Sequence, residues 1–295
     1  MRLRDTFGEA LLGKLSRLRL VVRRARPGRQ SGERRSPKKG RAIEFADFRR
    51  YAVGDDPRLI DWNVYARLEK LFVRLYQEEE DVTAHILIDA SRSMDWGEPN
   101  KLQFALRLGA ALGYIVLATS DRLLVSAVRD DQVIPLTPPL RGKHYTLELL
   151  RQLEAVAAGG TTRLNAALTA YAGQPQAAGP LVLISDLFAP EGFEAGLRAL
   201  QGASYEVTVC HVLAPQELEP DLMGDLELVD VETGDRREVS LTPADLNEYA
   251  ENLSRWREGV AAWCLRRGIN FIPLDTRIPF EELIFKELPR RGVLV

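Results

Sequence analysis

The chain has 295 residues, 45% hydrophobic and 28% charged, enough apolar content for a large packed core. That composition excludes intrinsic disorder, and two cysteines, Cys210 and Cys264, neither in a CxxC nor a Cys/His ligand spacing, exclude a disulfide scaffold. The net charge of −2 hides an asymmetry: residues 1–50 hold 16 basic and 5 acidic side chains, net +11, and the rest carries −13, the pattern of a basic arm joined to an acidic domain.

Leu3, Phe7, Leu11, Leu15, Leu18 and Val22 recur at steps of three and four, which predicts a basic amphipathic helix ending before Pro27. Such a helix packs on its own domain or lies on a membrane surface or partner. From Pro27 to Gly40 no side chain can anchor a core, so a linker is expected. Charges interrupt the N-terminal segment too often for a secretory signal, and the longest uncharged apolar stretch, Leu108 to Ser120, is too short for a membrane span. The expected location is therefore cytoplasmic, with peripheral membrane contact through the Leu3 to Val22 helix as the alternative. Nucleic acid is not an expected partner, since the arm offers only Phe7, Phe45 and Phe48 for stacking and has no binding module beside it.

Gly54-Asp55-Asp56-Pro57 reads as a turn and Lys70 to Tyr76 alternates like a strand. A charged turn at Glu78 to Asp81 then leads into a strand beginning at Val82, which suggests that the two strands pair. Buried strands are expected at Ala84 to Asp89, Leu123 to Val128, Leu181 to Ser185, Tyr205 to Leu213 and Ile269 to Leu274. Helices are expected at Lys101 to Thr119, Tyr145 to Ala157, Arg163 to Ala172, Glu191 to Leu200, Pro243 to Arg267 and Pro279 to Leu288. Apolar strands alternating with amphipathic helices define an α/β fold, a three-layer, doubly wound, mostly parallel sheet. Asp225 to Leu241, with a turn at Thr233-Gly234-Asp235, should be a β-hairpin inserted before the long helix. The expected organisation is a basic helix and linker over 1–40, a segment over 41–81 packed on the sheet, and the α/β domain over 82–295.

In open α/β sheets ligands bind beyond the carboxyl ends of the strands. Two apolar runs there end in aspartate, at Asp89 and Asp186, and the first continues as Asp89-x-Ser91-x-Ser93, a carboxylate and two hydroxyls at alternating positions of one loop. Gly159-Gly160-Thr161-Thr162 lies between them and can lend another hydroxyl. Hard cations such as Mg²⁺ take about six oxygens from such groups. The competing reading is an Asp/Ser turn that caps the following helix. His85 and His211 lie inside apolar strands and read as core histidines, and His144 has no ligand spacing with either.

This order of motifs resembles the metal-ion-dependent adhesion site of von Willebrand factor type A domains. The resemblance implies that Ser91 and Ser93 bind a metal directly, that Thr161 binds directly or through water, and that Asp89 and Asp186 act through bridging waters. It implies Mg²⁺, with Mn²⁺ or Ca²⁺ as substitutes, whose open position takes an acidic oxygen from a protein partner. A second resemblance rests on Arg49-x-Tyr51-x-x-Gly54-Asp55-Asp56-x-Arg58-x-Ile60-Asp61-Trp62-x-x-x-Ala66-Arg67, the Asp89 motif and the inserted hairpin. Together these are similar to the bacterial family called domain of unknown function fifty-eight, over roughly Ser36 to Pro289. Members are commonly encoded beside MoxR-type AAA+ ATPases, which implies such a motor as partner. The pair of transmembrane helices that precedes the domain in many relatives is not seen in this sequence. Arg49, Tyr51, Asp55, Arg58, Asp61, Trp62 and Arg67 form a candidate interaction segment, or else an ion-pair network that fixes the segment in place.

The expectation is a metal-dependent interaction module rather than an enzyme. The alternative is a Mg²⁺-dependent phosphoester hydrolase using Asp89 and Asp186. Against it, the haloacid dehalogenase pattern would place a second Asp where Ser91 stands, and the phosphate-loop, esterase and dinucleotide motifs do not occur.

Overall fold

The computed structural model describes residues 3–21, 43–52, 55, 57, 60–78 and 82–295. The chain divides into two compact units, residues 1–24 with 82–295, and residues 25–81.

The first unit begins with two short helices, α1 (Leu3–Thr6) and α2 (Glu9–Leu15), in place of the single helix expected over Leu3 to Val22. Gly8 separates them, and Leu20 pairs in a β-bridge with Leu294. Leu3, Phe7 and Leu15 are buried in the unit's own core, so the amphipathic face packs inward. The expected linker over 27–40 lies outside the described residues.

The second unit is a two-stranded antiparallel sheet, β1 (Ile43–Arg50) with β2 (Phe72–Glu78), and a helix α3 (Trp62–Leu68) between them. The expected pairing of the Lys70 to Tyr76 strand with the one that follows does not form, because β1 supplies the partner for β2 and the following strand lies inside the large sheet. Asp61 caps α3, its Oδ1 accepting from Asn63 N at 2.9 Å and Val64 N at 3.2 Å. Such a cap is worth about 1 kcal/mol. Asp55 accepts from Ala52 N at 2.8 Å, while Trp62 and Arg67 are exposed and Tyr51 is half-buried. Gly54, Asp56 and Arg58 lie outside the described residues.

The main sheet of the first unit contains β3 (Thr83–Asp89), β4 (Arg122–Arg129), β5 (Gln132–Pro135), β6 (Leu140–Arg141), β7 (Pro180–Ser185), β8 (Glu206–Leu213) and, after the β9 (Gly224–Val229) and β10 (Arg236–Leu241) hairpin, β11 (Asn270–Asp275). Its order is β11-β8-β7-β3-β4-β5, with β6 also pairing β4. The five strands from β11 to β4 are parallel, and β5 and β6 run antiparallel. This is the doubly wound α/β sheet that the alternation of elements predicts.

Side-chain alternation along the strands feeds two cores. Ile86, Ile88, Val182 and Ile184 face the core that holds α4 (Lys101–Ala118) and α5 (Thr146–Glu154). Leu87, Leu181, Leu183 and Val209 face the one that holds α6 (Leu164–Ala172), α7 (Glu194–Gly202) and part of α8 (Pro243–Leu265). Gly109 brings α4 onto the sheet, since a Cβ there would lie 2.6 Å from Ile88 Cδ1. Among the described residues only α4 is long and apolar enough to cross a membrane, and most of it is buried inside the protein. The chain passes from β3 through α4 to β4 on one side, then returns to β7 on the other. That reversal opens a crevice at the carboxyl ends of β3 and β7.

Candidate metal centre

Asp89 ends β3 and is wholly buried. Its Oδ1 accepts from Ser91 N at 3.0 Å and Ser91 Oγ at 2.6 Å, and its Oδ2 accepts from Ser185 Oγ at 2.6 Å. Burial, together with the neighbouring Asp186 charge, pushes the Asp89 carboxyl up to about 6, against the opposing pull of the Ser185 and Ser91 hydrogen bonds. The aspartate therefore organises its own loop: it bends the chain so that the hydroxyls of Ser91 and Ser93 lie side by side, 3.0 Å apart.

The third hydroxyl comes from the Gly159 to Thr162 loop. Two backbone hydrogen bonds stitch this loop to the first, Gly159 N to Ala90 O at 2.9 Å and Arg92 N to Gly160 O at 3.4 Å. Gly160 takes φ +71°, and a Cβ there would lie 2.5 Å from Asp130 Oδ1. Asp130, just past β4, accepts from Thr161 N at 2.8 Å and from Thr161 Oγ1 at 3.2 Å. Thr161, the expected site residue, is thus turned toward Asp130. The hydroxyl facing Ser93, at 3.4 Å, belongs to Thr162, which replaces Thr161 as the hydroxyl that the geometry offers to the site.

Asp186 follows β7 and is also buried. Its Oδ1 accepts from Phe188 N at 3.0 Å and its Oδ2 from Lys101 Nζ at 2.7 Å. Lys101 opens α4, is buried, and binds Glu217 as well. Burial draws the Lys101 pKa down, but the Asp186 and Glu217 carboxylates outweigh it and hold the pKa above the ordinary lysine value. Glu217 in turn accepts from Ala214 N at 2.7 Å. His211 Nε2 donates to the Asp186 carbonyl at 3.0 Å, and burial lowers its pKa to about 4, the neutral core histidine that its strand position suggests. His85 is likewise buried in its strand.

Among the described residues no group of three or more His, Cys, Asp or Glu side chains is arranged as a metal site. The donor set at this crevice is instead three hydroxyls with two carboxylates behind them. Neighbouring oxygens around Mg²⁺ at about 2.1 Å lie about 3 Å apart, a spacing that the 3.0 Å Ser91–Ser93 pair meets and the 3.4 Å Ser93–Thr162 pair approaches. Hard oxygen donors at that spacing fit a small divalent cation.

Lys101, Glu217, Ser185 and Asp130 are the members of this network that sequence reading missed, and within the Gly159 to Thr162 loop the resemblance points to Thr161 instead of Thr162. The one local signal was Lys101, a charge at the head of a mostly apolar helix.

Comparison with known proteins places these residues in a family. The uncharacterised protein Rv1480 of Mycobacterium tuberculosis is 29% identical over 276 residues, covering 92% of this chain and 87% of the relative. Among solved structures, the conserved hypothetical protein BatB of Bacteroides thetaiotaomicron aligns with 16% identity and a TM-score of 0.42, covering 72% of this chain and 98% of that one. A von Willebrand factor type A protein of Catenulispora acidiphila aligns with 14% identity and a TM-score of 0.41, covering 76% and 44%. Residues 47–258, well over half of the chain, match the family described as protein of unknown function DUF58, and the protein belongs to that family.

Proposed function

We propose that this protein is a metal-dependent protein-interaction module that binds an acidic side chain of its partner through a Mg²⁺ centre at Ser91, Ser93 and Thr162, with Asp89 and Asp186 behind them. The observation that carries the reading is the row of hydroxyls from Ser91 to Thr162 beside the buried Asp89. A bound Mg²⁺, or Mn²⁺ or Ca²⁺ in its place, would supply an electrophilic centre for a carboxylate oxygen.

The protein's own residues set the character of that centre. Both oxygens of Asp89 and both of Asp186 already accept hydrogen bonds. Each carboxylate therefore orients its neighbours rather than standing free as a general base, which favours recognition over hydrolysis. Lys101 offsets part of the negative charge that the two aspartates and Glu217 concentrate there.

The partner we propose is a MoxR-type AAA+ ATPase, with this chain acting as its adaptor or substrate recruiter in the cytoplasm. Family membership supports that choice, through the neighbourhood the family's resemblance implies. The Arg49 to Arg67 segment, with Trp62 exposed, is proposed as a second contact.

The test is a titration of the purified protein against a MoxR-type ATPase from the same organism, in Mg²⁺ and then in EDTA, with wild type and a Ser91→Ala, Ser93→Ala double variant. Binding in Mg²⁺ that EDTA and the double variant both abolish is the expected result. Binding indifferent to metal would move the interface to the basic arm or the Arg49 to Arg67 segment and contradict the reading.

A further inference from the structure

The inserted hairpin reaches the row of hydroxyls through a single side chain. Glu232, at its tip and 70 residues beyond Thr162, accepts from Thr162 N through Oε2 at 3.0 Å and from the Thr162 hydroxyl through Oε1. Among the described residues, these are the hydrogen bonds that tie the hairpin to the rest of its unit. Local hydrogen bonds shape the tip: Asp230 Oδ1 accepts from Glu232 N at 2.9 Å and from Thr233 N at 2.7 Å, and Gly234 turns the chain at φ +79°.

β9 and β10 pair only with each other and are mostly exposed, with Leu228, Val229 and Val231 open to solvent. Little apolar burial therefore holds the hairpin down. What holds it is a carboxylate laid on Thr162, at the end of a hydrogen-bonded row that runs through Ser93 and Ser91 to Asp89. The row thus runs from one carboxylate, Glu232, to another, Asp89, with three hydroxyls between them.

We propose that Glu232 is the chain's own acidic ligand for this centre, a cap that occupies the place of the partner's carboxylate and that the partner must displace. The inference rests on the metal-centre reading and adds its regulation. An internal carboxylate competes with an external one, so the apparent affinity for a partner falls by the fraction of time the cap is closed. The partner that opens it presents an Asp or Glu beside an apolar surface, which Val229 and Val231 can meet once the tip swings away.

Mn²⁺-loaded protein tests this with acetate as the external carboxylate. Bound Mn²⁺ speeds relaxation of the acetate methyl protons far more when acetate enters its coordination sphere than when it only diffuses past. The chains compared are wild type, Glu232→Gln, and Glu238→Gln as a control that loses the same charge elsewhere on the hairpin. The expected relaxation enhancement per bound Mn²⁺ is severalfold larger in Glu232→Gln than in the other two. Equal enhancement in all three overturns the cap, and a smaller one in Glu232→Gln also overturns it by making Glu232 a residue that positions Thr162. Electron paramagnetic resonance counts bound Mn²⁺ in the same samples. No bound Mn²⁺ in any chain overturns the metal-centre reading and the cap with it, whereas bound Mn²⁺ with equal relaxation removes the cap alone.

Discussion

Lys101 Nζ lies 2.7 Å from Asp186 Oδ2, and both side chains are shielded from water. An ion pair so buried adds little net stability when intact, because desolvation offsets the attraction, but removing one partner strands the other charge. Lys101 also serves Glu217, so its loss strands two carboxylates.

Lys101→Met should therefore destabilise the fold by about 3–5 kcal/mol. Adding Glu217→Gln should recover part of that loss, since one of the stranded charges is then gone. Urea unfolding of the single and double variants measures both effects. A single variant as stable as wild type would show that the pair does not carry the charge balance of the crevice.

The two adjacent threonines make a sharper prediction. Thr162→Val should weaken Mn²⁺ binding by about tenfold or more, the scale of losing a group that holds or orients a metal, while Thr161→Val should leave it near wild type. Calorimetric titration of each variant separates them, and the opposite ranking would return the site to Thr161.

Why Thr162 rather than Thr161 faces Ser93 could not be read from the sequence. The choice depends on the left-handed turn at Gly160 and on Asp130, which lies 31 residues earlier and takes both the amide and the hydroxyl of Thr161. Asp89, Ser91, Ser93 and Asp186 were legible because each follows a continuous apolar run, and in a doubly wound sheet the ends of such runs meet. The pairings Lys101–Glu217 and Glu232–Thr162 span 116 and 70 residues, and no local pattern encodes them. β1, with the sequence IEFADFRR, lacks the apolar run that marks a strand, so the sequence pattern pairs Lys70 to Tyr76 with the strand that follows it instead of with β1. The amphipathic face of the first helices was legible, but nothing in the sequence chose between a membrane and the protein's own core.

His85 gives a pH prediction. Its ring is buried between the Tyr171 hydroxyl at 2.8 Å and the Ala177 carbonyl at 2.9 Å, and burial lowers its pKa despite the opposing effect of that carbonyl. Below about 6.5 the unfolded chain takes up a proton that the folded chain refuses, so stability falls as pH drops through that value and is fully present above it. Wild type should lose more stability than His85→Gln between pH 7.5 and 5.5, by up to about 1.4 kcal/mol per pH unit below 6.5. Comparing the two chains cancels every other titration they share. Parallel pH profiles would show that folding leaves the His85 pKa at its unfolded value.

Counting bound Mn²⁺ by electron paramagnetic resonance decides whether the hydroxyl row beside Asp89 holds a divalent cation. One Mn²⁺ per wild-type chain is expected, displaced by excess Mg²⁺, and none on the Ser91→Ala, Ser93→Ala double variant, whose thermal unfolding in EDTA should stay close to that of wild type. A wild-type chain that takes up no Mn²⁺, or a double variant that binds it as wild type does, would remove the metal centre.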